Sequence, residues 1–377
     1  MVVEHPADSV GGHRQGKPDV AVVGGGPIGL ASAWRAAQRG LRVLVLDAGE
    51  PGAWHVAAGM LAPVAEADFG EDALLDLNLR AAQGFPAFCA ELAEASGADP
   101  GLRRGGTLVV ARDRDEAAEL DRLHAFRQRL GLGVERLLPS RARRIEPALA
   151  PTVRLALDIA GDHSVDPRRL VAALREAVRR AGGDVRAGAR VRRLLPDGVE
   201  LADGSVQRAG TVLLAAGAHA GALSDAVPVR PVKGQVLRLR DPQGPGLVDR
   251  TIRTREAYLV PRADVRYVLG ATMEERGFDT AATAGGVFEL LRDISEVVPG
   301  VLELELEEVL AGLRPATPDN LPAIGRLDGI VYATGHHRNG ILLSGLTGEL
   351  AAAALCGEAL PGWAAPADPA RFARVPA

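Results

Sequence analysis

Val22-Val23-Gly24-Gly25-Gly26-Pro27-Ile28-Gly29 sets a short apolar run directly against a glycine-rich turn. Val20 to Val23 is apolar and largely β-branched, so it reads as a strand, and Gly24 to Gly26 reads as the turn. Ile28 to Arg39 has helical character, and Leu41 to Leu46 is apolar again, which makes the whole a βαβ unit. Gly24, Gly26 and Gly29 form the pattern GxGxxG immediately after the strand and at the opening of the helix.

Each glycine has its own physical reason. Gly24 permits the tight turn, Gly26 lets a pyrophosphate approach the backbone with no Cβ in the way, and Gly29 allows close helix–strand packing. The helix N-terminus offers unpaired N–H groups and the positive end of its dipole to phosphates. Asp47 ends the second strand, where its carboxylate accepts hydrogen bonds from ribose hydroxyls and repels a 2′-phosphate. The pattern therefore predicts a dinucleotide other than NADP, and by itself leaves FAD and NAD equally open.

Outward from this unit, helices are expected at Glu71 to Ser96, Asp113 to Leu130 and Pro167 to Ala181, with strands at Thr107 to Ala111 and Ala189 to Leu195. Asp203-Gly204 marks a hairpin between Val199 to Ala202 and Ser205 to Arg208. From Val227 to Thr272 the strand-like segments Gln235 to Leu239, Ala257 to Val260 and Tyr267 to Ala271 predict an antiparallel sheet. A helix at Gly286 to Val298, a strand at Ile330 to Ala333 and a helix at Ile341 to Cys356 complete the pattern.

The 377 residues carry 44 Lys and Arg against 48 Asp and Glu, a net charge of −4 that gives no reason to expect nucleic acid as a partner. With 47% hydrophobic and 3% aromatic residues, the core is aliphatic and extensive disorder is excluded. Cys89 and Cys356 are too few for a disulfide framework or a thiolate metal cluster, which points to a reducing, cytoplasmic setting. No apolar stretch is long enough to span a membrane, and residues 1–18 read as a flexible tail without the apolar stretch of a signal peptide.

Further stretches, in order, carry a resemblance. Ala57-Ala58-Gly59-Met60-Leu61, His163-Ser164-Val165-Asp166-Pro167, Ala215-Ala216-Gly217-Ala218 and Val232-Lys233-Gly234-Gln235 lead to Tyr258-Leu259-Val260-Pro261-Arg262. Gly270-Ala271-Thr272-Met273, Ala311-Gly312-Leu313-Arg314-Pro315 and Gly335 to Leu343 follow. Together they resemble the glycine oxidase branch of the D-amino acid oxidase family, over nearly the whole chain from Asp19 to Cys356.

The resemblance implies an α/β fold of mixed α+β character: a Rossmann-type FAD domain interwoven with a substrate domain on a mixed, largely antiparallel sheet. Residues 19–85, 150–225 and 322–365 are expected in the first, and 86–149 and 226–321 in the second. It implies hydride transfer from the α-carbon of a small amine or amino acid to flavin N5, an imine product, and reoxidation by O2 to H2O2. In thiamine-producing bacteria the glycine imine serves formation of the thiazole ring. A homotetramer is a further implication, and the competing enzyme reading is an FAD-dependent amino acid dehydrogenase, or a sarcosine or D-amino acid oxidase, with a different substrate or electron acceptor.

Arg314 is the sharpest site candidate, because its planar donor fork matches a carboxylate in two parallel hydrogen bonds. It matches the family's substrate-carboxylate arginine. Tyr258, on a strand that sends it to the same face as Val260, resembles the second carboxylate-binding group. The resemblance places Arg338 and Met273 near the substrate, and sets Glu256 where some members carry a histidine. A carboxylate facing the site there would attract an amine and repel a second carboxylate. Cofactor contacts are implied for Gly24, Gly26, Pro27, Ile28, Gly29, Asp47, Ala57, Ala58, Gly59, Met60, Val191, Gly217, His337, Arg338, Asn339, Gly340, Ile341 and Leu342. No side-chain base is expected, since hydride transfer from a neutral amine needs none, and neither His336 nor His337 has the partners of a metal ligand. No cysteine near Arg314 to Asn320 is placed to tether the flavin, so FAD is expected to be non-covalent.

Overall fold

The structure, a computed structural model, describes residues 16–373. Of the expected tail, residues 1–15 lie outside the described residues. Val20–Val23 forms the centre of a six-stranded sheet with the order Ala323–Leu327, Ile330–Thr334, Thr211–Leu214, Val20–Val23, Val43–Leu46, Asp184–Arg186. All neighbours are parallel except the first pair. A parallel strand is covered on both faces, which is why Val20–Val23 and Val43–Leu46 are apolar throughout and fully buried.

Val20 and Val22 pack beneath Leu30 and Trp34 of helix Pro27–Gln38, Leu77 and Leu92 of helix Asp72–Ser96, and Leu170 and Leu174 of helix Pro167–Arg180. Ala21, Val23, Leu44 and Leu46 face the other way, onto Val199 and its neighbours in a small antiparallel sheet, Val191–Leu195, Gly198–Leu201 and Val206–Arg208. That small sheet contains the hairpin turned by Asp203-Gly204.

The glycine turn is held by backbone. Gly24 has φ +114°, and a Cβ there would stand 2.3 Å from the Ala215 carbonyl oxygen. A Cβ on Gly29 would stand 2.0 Å from the carbonyl oxygen of Gly24, so the helix can approach the strand only through glycine. Gly25, which the motif leaves unassigned, carries the Asp47 carboxylate, whose Oδ2 would lie 1.9 Å from an added Cβ.

The second large sheet runs Glu305–Ala316, Arg230–Arg240, Arg266–Gly270, Tyr258–Pro261, Thr251–Arg253, Thr107–Ala111, Leu155–Ile159, Glu135–Leu137. It is antiparallel except where Thr251–Arg253 runs parallel to Thr107–Ala111. Leu108, Leu237, Leu259, Leu269 and Ile294 form its core with helix Ala284–Ser295.

Several boundaries differ from the sequence expectation. Leu155–Ile159, expected in the dinucleotide-binding unit, pairs with Thr107–Ala111 in the large sheet. Leu41 does not begin the second strand, because its N–H closes the preceding helix onto the Ala36 carbonyl after Gly40 turns left-handed at φ +86°. The last helix begins at Ser344 and not at Ile341, because Ile341 follows a 3₁₀ turn, His337–Asn339, that starts with His337 at φ +46°. Glu305–Ala316 is a continuous strand with no clean alternation of burial, which explains why only its Ala311–Pro315 portion stands out in the sequence.

Helix propensity alone would favour Ala over Gly at position 29 by about 1 kcal/mol. The contact with the Gly24 carbonyl opposes this more strongly, so Gly29→Ala is expected to lower stability by about 1–3 kcal/mol, read as a lower Tm together with loss of bound cofactor.

Candidate functional site

Both large sheets contribute to one cavity of about 740 Å³. At one end stand Gly24, Gly26, Pro27 and Ile28 of the glycine turn, with Asp47 beside them. Helix Pro27–Gln38 starts at Gly26 with no side-chain cap, so its first N–H groups remain available to an anion. An added Cβ on Gly26 would meet only Trp54 Cδ1, at 3.5 Å, which leaves the space above this backbone open to the cavity. Asp47 Oδ1 accepts the Gly49 N–H at 2.6 Å, orienting the carboxylate at the end of the strand.

Ala57, Ala58, Gly59 and Met60 line the middle, together with Val191 and Gly217. Gly59 has φ +68°, and its position is fixed against the Val165 carbonyl oxygen, 2.1 Å from where a Cβ would stand. The buried Arg262 donates to the Ala58 carbonyl oxygen from the large sheet. From the other side come His337, Arg338, Asn339, Gly340, Ile341 and Leu342. Gly29 is the one expected cofactor residue absent from the lining, and its role is the packing described above.

Tyr258 and Arg314 line the far end through two cleared positions on the large sheet. Tyr258 pairs with Gly270, and a Cβ on Gly270 would lie 2.5 Å from the phenol oxygen. Gly234 is crossed by Arg314, whose guanidinium nitrogens would lie 2.3 and 2.5 Å from a Cβ there. Arg314 Nη1 donates to the carbonyl oxygens of Thr272 at 3.2 Å and Lys233 at 3.3 Å. Tyr258 joins the same apolar cluster as Val260, as strand alternation predicts. Burial pushes the Tyr258 phenol up, against the opposing pull of the Arg314 charge, so it stays a neutral donor.

The cavity's charges are arranged differently from the expectation. Glu256 lies at the cavity wall, but its carboxylate is bonded to Arg112 at 2.6 Å, a partner on a distant segment that sequence order does not show. Its charge is therefore balanced by Arg112 and is not presented alone to an amine. Arg338 is bonded through Nε to Glu66 at 3.0 Å and through Nη2 to Glu71 at 3.2 Å. Glu66 also binds Arg253 at 2.7 Å. Burial opposes ionisation of Glu66, but the Arg253 and Arg338 charges outweigh it and hold its pKa below the usual range. Met273 is exposed at the mouth, near Phe278, whose ring stacks on His219 at 5.0 Å.

Glu66 and Arg253 were not found by sequence reading. Alternation with Tyr258 across the hairpin places Arg253 directly opposite it, a signal available had the short strand Thr251–Arg253 been recognised. Glu66 lies in an irregular segment with no comparable signal.

Burial lowers His336 to about 3 and His337 to about 4, the latter helped by the Arg314 and Arg338 charges. Both are neutral at physiological pH. His336 Nε2 lies 2.9 Å from Thr347 Oγ1 on the last helix. Among the described residues no group of three or more His, Cys, Asp or Glu is arranged to hold a metal, and no helix is long and apolar enough to cross a membrane.

This is the fold of a flavin-dependent oxidoreductase, with the uncapped N-terminus of helix Pro27–Gln38 at one end of the cavity and Arg314 and Tyr258 at the other. The chain belongs to the DAO family, FAD dependent oxidoreductase, whose model matches residues 19–354, and it is an FAD-dependent amino acid oxidase of the glycine oxidase type. It is 36% identical to a glycine oxidase of Geobacillus kaustophilus, covering 89% of this chain and 92% of that protein. It is also 31% identical to the hydrogen cyanide synthase subunit HcnC of Pseudomonas aeruginosa, over 95% and 97% of the two chains. The crystal structure of the Geobacillus kaustophilus glycine oxidase superposes with a TM-score of 0.88 at 34% identity, covering 93% and 98%. An iminodiacetate oxidase from Chelativorans superposes at 0.82 with 28% identity, over 91% and 97%.

Gly234→Ala keeps an unstrained backbone but intrudes on the Arg314 guanidinium. It is expected to weaken acetate binding about tenfold with FAD content unchanged, measured by perturbation of the flavin spectrum. The His336 pKa, about 3 when folded against 6.5 for the unfolded chain, means that the unfolded state takes up the proton first as pH falls. Stability is then lost between pH 6.5 and about 3, and His336→Gln is expected to flatten that part of the Tm–pH curve.

Proposed function

We propose that this protein oxidises a small amino acid or amine, with glycine the first candidate and sarcosine and D-alanine next. The observation that carries the reading is Arg314. Of the arginines lining the cavity, Arg190, Arg253, Arg255 and Arg338 are each in an ion pair, and Arg314 has none among the described residues. A substrate carboxylate supplies the missing partner, and the Tyr258 hydroxyl donates to its second oxygen.

FAD, when bound, supplies the hydride acceptor at N5 and, on reoxidation by O2, yields H2O2. Arg314 and Tyr258 fix the substrate by its carboxylate, so the α-carbon is presented in one orientation. Burial holds His336 at about 3 and His337 at about 4, too weak as bases to take the proton of an ammonium group, and Tyr258 keeps its own proton, so the amine loses its proton to solvent before hydride transfer. The backbone from His337 to Leu342 closes the cofactor side of the cavity. The imine leaves for hydrolysis to glyoxylate and ammonia when glycine is the substrate.

Residues 19–85, 150–225 and 322–365 are read as the cofactor unit, less the strand Leu155–Ile159, and 86–149 and 226–321 as the substrate unit. Likeness to the bifunctional protein ThiO/ThiG of Trichormus variabilis, 33% identical over 89% of this chain and 52% of that protein, supports a place in thiamine thiazole synthesis. A homotetrameric assembly belongs to the same reading.

Anaerobic addition of glycine to the purified holoenzyme is expected to bleach the flavin absorption, and air to restore it with release of H2O2. A flavin unmoved by glycine, sarcosine and D-alanine overturns the reading, and bleaching followed by slow recovery in air assigns a dehydrogenase instead. Arg314→Ala is expected to raise KM by about 10- to 100-fold, with Arg314→Lys recovering part of the loss because it restores charge without the fork.

A further inference from the structure

Three arginines converge on the substrate end of the cavity, and two are already neutralised. Glu66 Oε1 binds Arg253 Nη1 at 2.7 Å, and Glu66 Oε2 binds Arg338 Nε at 3.0 Å. A second carboxylate, Glu71, takes Arg338 Nη2 at 3.2 Å and is itself held by Asn320 Nδ2 at 3.3 Å. The Glu66 side chain is only 12% exposed and lines the cavity, so its charge acts on whatever enters.

Glu66 is also mounted rigidly. The N–H groups of Val64 and Ala65 donate to the buried Asp162 carboxylate at 3.2 and 2.6 Å. Buried Arg127 donates to the carbonyl oxygens of Ala65 at 2.7 Å and Ala67 at 3.3 Å. Both flanks of Glu66 are therefore anchored to segments outside the cavity. Arg253 stands opposite Tyr258 across the hairpin, so the cation that Glu66 occupies is the neighbour of the carboxylate slot. The Glu256 carboxylate is turned to Arg112 and pairs with neither Arg253 nor Arg338.

We propose that Glu66 is a specificity-determining positioning residue: by occupying Arg253 and Arg338 it leaves Arg314 as the single cation available to a carboxylate, so the cavity selects monocarboxylic over dicarboxylic amino acids. The inference rests on the reading of Arg314 as the substrate-carboxylate residue. A second carboxylate entering beside Arg253 meets an anion already in place and is repelled. Glu66→Gln keeps the shape, removes that anion, frees the Arg253 guanidinium and releases Arg338 Nε while Glu71 still holds Arg338 Nη2.

The test uses the holoenzyme and its Glu66→Gln variant, with glycine, iminodiacetate and D-aspartate as substrates in anaerobic flavin reduction. For iminodiacetate and D-aspartate, kcat/KM relative to glycine is expected to rise about tenfold or more in the variant, through KM and not through the limiting rate of reduction. Adding Arg253→Met to Glu66→Gln is expected to return the ratio towards that of the parent. A flavin-loaded Glu66→Gln protein whose ratio is unchanged or lower overturns the proposal. Should Glu66→Gln fail to retain FAD, Glu71→Gln releases Arg338 Nη2 alone, and the ratio must then rise by a smaller factor; no rise overturns the proposal equally. The arms separate from the parent reading: loss of glycine turnover in Arg314→Ala tests the carboxylate site, whereas the dicarboxylate ratio tests Glu66 alone.

Discussion

The contact on which the cofactor end depends is between two backbones. Gly24, turning at φ +114°, lies against the Ala215 carbonyl, and Gly29 lies against the carbonyl of Gly24 itself. Side chains at either place would hold the helix away from the strand and tilt its N-terminal N–H groups out of the cavity. The parallel pairing of Val20–Val23 with Thr211–Leu214 brings Ala215 to that spot. Close packing, rather than any polar group, therefore aims the helix dipole.

The same economy of volume governs the substrate end. Gly234 and Gly270 sit on the face of the large sheet where a Cβ would intrude on the Arg314 guanidinium and the Tyr258 phenol. The long antiparallel pair Arg230–Arg240 and Glu305–Ala316 sets Gly234 opposite Gly312, with Arg314 two residues farther along its strand. Two large polar groups lie flat over a sheet because glycines make room for them. The neighbouring Arg253 and Arg338 are balanced by acids from a different part of the chain, Glu66 and Glu71, while Arg314 is left without one among the described residues.

The parts legible in the sequence were those with local signals. GxGxxG between apolar runs marks the βαβ unit, and Asp203-Gly204 marks the hairpin of the small antiparallel sheet. Arg314 and Tyr258 were legible through the resemblance and meet at the cavity. The fate of Glu256 was not, because its partner Arg112 is brought beside it by the pairing of Thr251–Arg253 with Thr107–Ala111. Glu66 was hidden for the same reason: its meaning lies in Arg253 and Arg338, both far along the chain. Charge pairing across tertiary structure leaves no periodic trace, whereas turns and buried strands do.

The order of the six-stranded sheet has a consequence for how the molecule comes into being. Val20–Val23 is flanked by Thr211–Leu214, which is flanked in turn by Ile330–Thr334. Val20–Val23 has a near partner in Val43–Leu46, but its other edge is covered only by strands from far along the chain. Contacts of such long sequence separation slow folding. The helix Ser344–Leu355 packs on Pro27–Gln38, with Gly348 close against Ala31, so the helix after the glycine turn gains its full cover only when this distant segment has docked on it. The cofactor end is thereby completed by contacts between segments far apart in the sequence, which ties its assembly to that of the whole sheet.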